Sequence, residues 1–122
     1  MLMFPTLLLM ATPNPPIPIS EEQMRDIGCV ATIALAVGER PDLTQAGKRW
    51  SGIVGQRVMD MSGQPREVVA LAMTEAAKAQ SALQEPAEVR NDRIARCQAI
   101  MYGELAAADA ASTPLPKPVP SK

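Results

Sequence analysis

Residues 20–37 read SEEQMRDIGCVATIALAV, and this stretch predicts the helix that decides the fold. Ser20 and Gln23 form a capping-box pattern, in which each side chain satisfies a free backbone donor at the helix start. Apolar residues then recur at spacings of three and four, namely Met24, Ile27, Val30, Ala31, Ile33, Ala34, Leu35 and Val37. Because this helix is apolar around much of its circumference, we expect it to lie at the centre of the protein and to end near Gly38.

The same spacing continues downstream and predicts helices over about residues 20–37, 43–62, 65–84 and 86–108. Gly63 is suited to the position just past a helix end, and Pro65 and Pro86 are suited to first-turn positions. The expected inward residues of the last three helices include Trp50, Val54, Val58, Met61, Val68, Val69, Met73, Leu83, Val89, Ile94, Cys97, Ile100, Met101 and Leu105.

The second helix contains three glycines, Gly47, Gly52 and Gly55. They either allow a neighbouring helix to approach closely or mark a break near Ser51, and both alternatives stay open at this point. Methionines at positions 59 and 61 could suggest a soft-metal site, but residues two apart on a helix do not share a face. Core packing of Met61 with partial exposure of Met59 is the preferred interpretation.

The composition favours an all-α protein, because the chain has one Phe, one Tyr and one Trp against eight Met. We predict a four-helix up-down bundle with proline-rich extended ends and one disulfide that links the first and last helices. The expected organisation is a signal-like apolar segment at 1–11, a proline-rich linker at 12–19, a helical domain at 20–109 and a disordered proline-rich tail at 110–122.

The predicted disulfide joins Cys29 and Cys97, which both fall near mid-height of antiparallel helices that are adjacent in such a bundle. There is no Cys-x-x-Cys spacing, so a redox or metal-binding pair is the weaker alternative. Two buried free cysteines are the alternative in a reducing compartment.

Export is indicated by the N-terminal MLMFPTLLLMA, which is too short to cross a bilayer. A basic residue is missing before Arg25, so either the true start lies upstream or the signal is atypical. The alternative is an apolar N-terminal arm that packs on the domain. We expect a mature protein that begins near Thr12 and is periplasmic or secreted.

The composition also limits the kinds of partner and site that we expect. Twelve basic residues against thirteen acidic ones argue against nucleic acid as a partner, and the absence of histidine removes the commonest general base and metal ligand. No catalytic, cofactor or metal site is therefore predicted. The densest basic feature is Arg90, Arg93 and Arg96, a candidate contact for an anion or partner, although interleaved Glu88 and Asp92 favour a salt-bridged surface.

One smaller basic feature has an ordinary explanation. Lys48, Arg49, Trp50 and Lys78 suggest a small anion or cation–π site, but a solvated helix face is the simpler interpretation.

The expected function is a non-enzymatic interaction module for a protein or envelope component, with no transmembrane span. The alternative is a periplasmic binder of a small apolar ligand or of an unfolding client.

Overall fold

A computed structural model describes residues 15–112 of the chain, and this part is helical without strands. The elements are α1 (Glu21–Ala36), a short 3-10 turn (Pro41–Leu43), α2 (Thr44–Ser62), α3 (Arg66–Ser81) and α4 (Ala87–Ser112). The predicted all-α class with four helices is confirmed. The signal-like segment and nearly all of the proline-rich tail lie outside the described residues.

Local capping rules place the helix ends that the sequence predicts. The Ser20 hydroxyl accepts from the Gln23 N–H at 3.1 Å, and the Gln23 side-chain oxygen accepts from the Ser20 N–H at 2.9 Å. Gly63 ends α2 with φ of 71°, a left-handed conformation that costs glycine little. Next to it, the Ile17 N–H donates to the Ser62 carbonyl oxygen at 2.8 Å and ties the chain before α1 to the end of α2.

Two helix boundaries differ from the prediction by more than one residue. α3 ends at Ser81 instead of residue 84. α4 continues to Ser112 instead of residue 108, because alanines with high helix propensity fill its last turns.

The open question about α2 is answered by its continuity from Thr44 to Ser62. A Cβ atom on Gly47 would lie 3.1 Å from the Ile33 side chain, so this glycine lets α2 approach α1 closely.

The helices are arranged around α1, as its apolar circumference predicts. α1 and α2 each pack against all three other helices, whereas α3 and α4 flank them and scarcely meet. The buried core comprises Ile27, Val30, Ile33, Ala36, Leu43, Trp50, Val54, Val58, Val69, Ile94, Cys97, Met101 and Leu105. The alternating up-and-down order of the helices stays a prediction.

Several predicted core residues lie on the surface instead. Met24, Leu35 and Val68 are exposed because they lie on the outer faces of their helices. Their neighbours Gln23, Ala36 and Val69, in the same turns, are buried. The predicted core packing of Met61 is wrong, since its side chain is 60% exposed, whereas Met59 is partly exposed as predicted and also packs against the core. The buried residues of α2 follow one another at intervals of four, namely Trp50, Val54, Val58 and Ser62. Because four residues turn about 400° in an α-helix, the buried face rotates by about 40° at each interval, and Ser62 faces inward at the end. The other predicted core residues that are exposed are Leu83, Val89 and Ile100.

Candidate functional site

The bridge between α1 and α4 is the predicted one. Cys29 and Cys97 form a disulfide with a Cα–Cα distance of 5.2 Å across a sequence separation of 68 residues. Cys97 is 3% exposed within the core, whereas Cys29 is half-buried. The prediction that the first and last helices are direct neighbours is therefore confirmed.

A groove runs over this bridge because α3 and α4 both pack on α1 but not on each other. Its floor is the uncovered face of α1, with residues at spacings of three and four, and its walls come from α3 and α4. We name it the disulfide groove; it has a volume of about 420 Å³ and is lined by Arg25, Asp26, Gly28, Cys29, Thr32, Gln80, Arg93, Arg96, Cys97 and Ile100.

Gln80 fastens the α3 wall of the groove to its floor. Its side-chain amide donates to the Gly28 carbonyl oxygen at 2.7 Å, and its side-chain oxygen accepts from the Thr32 hydroxyl at 2.8 Å. A Cβ atom on Gly28 would already lie 3.9 Å from the Gln80 amide nitrogen. That is an ordinary van der Waals contact, so the two hydrogen bonds of Gln80, rather than the glycine, hold α3 against α1.

The predicted arginine stripe is only partly brought together. Arg93 and Arg96 line the disulfide groove, while Arg90 lines an adjoining pocket of about 270 Å³ with Leu35 and Leu83. Arg25, which the sequence analysis did not single out, joins them from α1. The disulfide groove therefore collects basic side chains from two helices.

The partners of these arginines differ from the predicted ones. Arg93 pairs with Glu85 through both guanidinium Nη atoms, one at 2.8 Å, and Arg90 pairs with Glu39 at 3.1 Å. The interleaved acidic residues of α4 are not the partners. Within residues 15–112 no ion pair is formed by Arg25 or Arg96, and both are exposed.

The ion pair between Arg93 and Glu85 determines the charge state of this part of the groove wall. The hydrogen bond from Arg93 lowers the pKa of Glu85, and the same bond raises the pKa of Arg93. The Arg93 Nε atom is buried and has no hydrogen-bond partner among the described residues. The pair is thus held ionised, with one donor of Arg93 left unfilled.

A second polar cluster lies between α1, α2 and α4. Arg57 donates to Asp26 at 3.2 Å and to Glu104 at 3.2 Å, and Glu104 also accepts from the Trp50 indole N–H at 2.8 Å. This cluster binds Asp26 to Arg57, although Asp26 also lines the disulfide groove. Sequence reasoning missed it because its members lie on three helices.

The other candidate basic site is not assembled. Trp50 is fully buried, Arg49 contacts Asp109 and Lys78 lies 3.6 Å from Glu75, its neighbour on α3. In residues 15–112 no group of three or more His, Cys, Asp or Glu side chains is placed to hold a metal ion. The same part of the chain contains no helix long and apolar enough to span a membrane.

Glu85→Gln is expected to change how stability depends on pH. Arg93 lowers the folded-state pKa of Glu85, so the ionised pair stabilises the fold above the unfolded-state pKa and this stabilisation is lost as the pH falls through the folded-state pKa. The wild type should exceed the variant in free energy of unfolding at pH 7, and the two should converge in strong acid. Urea unfolding at both pH values measures this.

Asp92→Asn is the matched control, because Asp92 is exposed on α4 and forms no ion pair within residues 15–112. A stability difference for Glu85→Gln that stays constant from neutral to acidic pH would contradict the assigned pair.

A comparison with protein-family models, curated proteins and solved structures gives no significant match. Function is therefore argued from the chemistry of the disulfide groove.

Proposed function

We propose that the protein is a small exported, non-enzymatic interaction module that holds another protein or an envelope component in the disulfide groove. The observation that carries the proposal is the open face of α1 between α3 and α4, where arginines without ion pairs lie beside exposed apolar side chains. Exposed apolar surface next to such charges is typical of interaction sites.

Export to the periplasm or the exterior is supported by the disulfide. Bridges of this kind persist in oxidising compartments and are rare in the cytosol. Both cysteines of the chain are used in the one bridge, which leaves no thiol for redox chemistry.

A binding role rather than catalysis is supported by the state of the polar groups in the groove. Its hydroxyl, on Thr32, donates to Gln80, and its carboxylate, on Asp26, accepts from Arg57. General acid–base catalysis needs a group free to exchange a proton with a bound substrate, and the chain contains no histidine to supply one. The groove offers instead fixed positive charge and apolar surface.

A second candidate function, the binding of a small apolar ligand or an unfolding client, is favoured by a different pocket. This pocket of about 360 Å³ lies between α1 and α2, and most of the surface that lines it is apolar, with Lys48 present to pair with an acidic group. Its other lining residues are Val30, Ala34, Val37, Thr44, Gly47 and Ser51.

Photo-crosslinking from two positions tests the proposed interaction role. A photoreactive amino acid at Ile100, in the disulfide groove, is expected to give a discrete crosslinked product in cells of the native source. The same amino acid at Met61, which is similarly exposed but lies outside the groove, is expected to give none. Equal products from both positions, or products from neither, would contradict the proposal; a photoreactive group at Ala34 tests the second candidate.

A further inference from the structure

We propose that the disulfide groove takes an acidic peptide segment of a partner protein, whose carboxylates bind Arg25 and Arg96 while its apolar side chains pack along the groove. This inference rests on the proposed function, because it names the chemistry of the partner for the same groove. It is argued from the charges, the apolar surface and the dimensions of the groove.

Some charged side chains in and beside the groove have ion-pair partners, and others have none. Asp26, the acidic residue of the groove lining, is bound to Arg57, and Glu85 is bound to Arg93. Asp92 lines a neighbouring pocket together with Arg96 but forms no ion pair with it. Arg25 on α1 and Arg96 on α4 have no ion pair within the described residues. Two guanidinium groups from different helices are thus available, and each matches the two oxygens of a carboxylate.

The apolar surface continues from these arginines along α1. Ile100 is 46% exposed in the groove, and Leu35 and Leu83 are exposed in the adjoining pocket, which shares Thr32, Gln80 and Arg93 with it. Covering large apolar side chains of this kind with a ligand removes them from water and is therefore favourable. A ligand that satisfies the arginines alone would leave this surface uncovered.

The shape and charge of the groove favour a peptide over other anions. From Arg25 to Leu35 the disulfide groove and the adjoining pocket together span ten residue steps of α1, which is about 15 Å along a helix and matches about five residues of extended peptide. The groove is open to solvent, so a small amphiphile would keep much of its surface exposed there. A continuous polyanion is disfavoured because Glu39 and Glu85 lie beside Arg90 and Arg93.

A labelled model peptide tests the chemistry directly. The probe is an end-blocked peptide of two glutamates followed by three leucines, about five residues long in the extended conformation to match this length of α1, with binding followed by fluorescence anisotropy on the disulfide-bonded protein. We expect saturable binding that weakens as salt is added. Peptides with lysine for glutamate, or with serine for leucine, should bind at least about tenfold more weakly, since a tenfold change is 1.4 kcal/mol.

Charge reversal assigns the binding to the groove. The double variant Arg25→Glu, Arg96→Glu is expected to reduce peptide affinity at least about tenfold, because two attractions become repulsions. Arg66→Glu is the matched control, since Arg66 is exposed at the start of α3, lies outside the groove lining and forms no ion pair within residues 15–112; it should bind as the wild type does. Unchanged circular dichroism and melting of both variants verify the fold.

The outcomes separate this inference from the proposed function. Equal binding of the glutamate and lysine peptides, or equal effects of the groove and control variants, would overturn the inference. So would binding to vesicles of phosphatidylglycerol but not phosphatidylcholine that depends on Arg25 and Arg96 while the peptide is not bound. If any of these outcomes occurs and the Ile100 crosslink persists, the interaction role stands and only the acidic peptide is wrong. If the crosslink also fails, the proposed function and this inference are both wrong.

Discussion

Reduction of the Cys29–Cys97 bridge is expected to lower the free energy of unfolding by about 4 kcal/mol, the value that the chain-entropy relation gives for a loop of this length. The bridge closes a 68-residue separation and so restricts the unfolded chain much more than the folded one. For a domain of this size the loss corresponds to a decrease of roughly 15–30 °C in Tm. Circular dichroism should record nearly the same folded spectrum with a much lower midpoint.

Single substitutions should differ because the two cysteines differ in burial. Cys97→Ser places a hydroxyl at a site that is 3% exposed, whereas Cys29→Ser places one at the half-buried floor of the groove. Cys97→Ser is therefore expected to be the less stable variant, although both lose the same crosslink. The double substitution to alanine should be milder than Cys97→Ser and should leave no thiol to form dimers.

A thiol assay on denatured, unreduced protein decides whether the bridge exists in the native source. Two free thiols per chain would contradict it and would weaken the case for export as well. A midpoint that moves by only a degree or two on complete reduction would contradict the expected stabilisation.

The elements that could be predicted from the sequence are those set by local rules. The capping box at Ser20, the left-handed Gly63 and the restart of helix after Pro86 each depend on residues a few positions apart. The bridge could be predicted as well, because only two cysteines exist and both lie near mid-height of apolar helix faces. The local features require no knowledge of how the helices are arranged, whereas the bridge also relied on the first and last helices being adjacent in the predicted bundle.

The groove could not be predicted, because it results from a contact that is not made. Apolar spacing shows which faces of α3 and α4 turn inward, but it does not show that both would pack on α1 and leave Gly28 and Thr32 between them.

The ion pairs could not be predicted either, because they also depend on how the elements are arranged. Glu85 reaches Arg93 from the loop before α4, outside the three- and four-residue spacings that identify pairs within a helix.

Methionine positions show how a correct pattern still gives a wrong face. Met61 belongs to the apolar series of α2, yet the buried series drifts around the helix as it passes its neighbours, and Ser62 takes the inner place. The Ser62 hydroxyl is satisfied there by donating to the Val58 carbonyl oxygen at 2.6 Å. Helix crossing, which the sequence does not specify, decides which face is buried at each end.

Trp50→Ala is expected to destabilise the protein by about 3–5 kcal/mol, the usual range for removing a buried aromatic side chain from a core. Trp50 is fully buried and is the one tryptophan in a chain with few aromatic residues. The aliphatic side chains around it have no second large ring to fill the cavity. The loss is a large part of the 5–15 kcal/mol that stabilises a typical domain.

Part of the effect comes from the indole N–H. It donates to Glu104 at 2.8 Å, and Glu104 also accepts from Arg57. Trp50→Phe keeps most of the ring volume but loses this donor to a charged acceptor, which is worth about 1.5–3 kcal/mol when one partner is removed. Glu104 retains Arg57, so we expect the phenylalanine variant to lie between the wild type and the alanine variant.

Urea unfolding followed by circular dichroism measures all three proteins, since fluorescence is lost with the tryptophan. Tyr102→Ala is the control, because Tyr102 is 44% exposed on α4 and its removal leaves no core cavity; it should change stability by about 0.5 kcal/mol or less. If Trp50→Ala unfolds at the same urea concentration as Tyr102→Ala, the indole is not enclosed by the core, and the packing of α2 against α4 around Glu104 is wrong. If Trp50→Phe is as unstable as Trp50→Ala, the hydrogen bond to Glu104 contributes more than the volume of the ring.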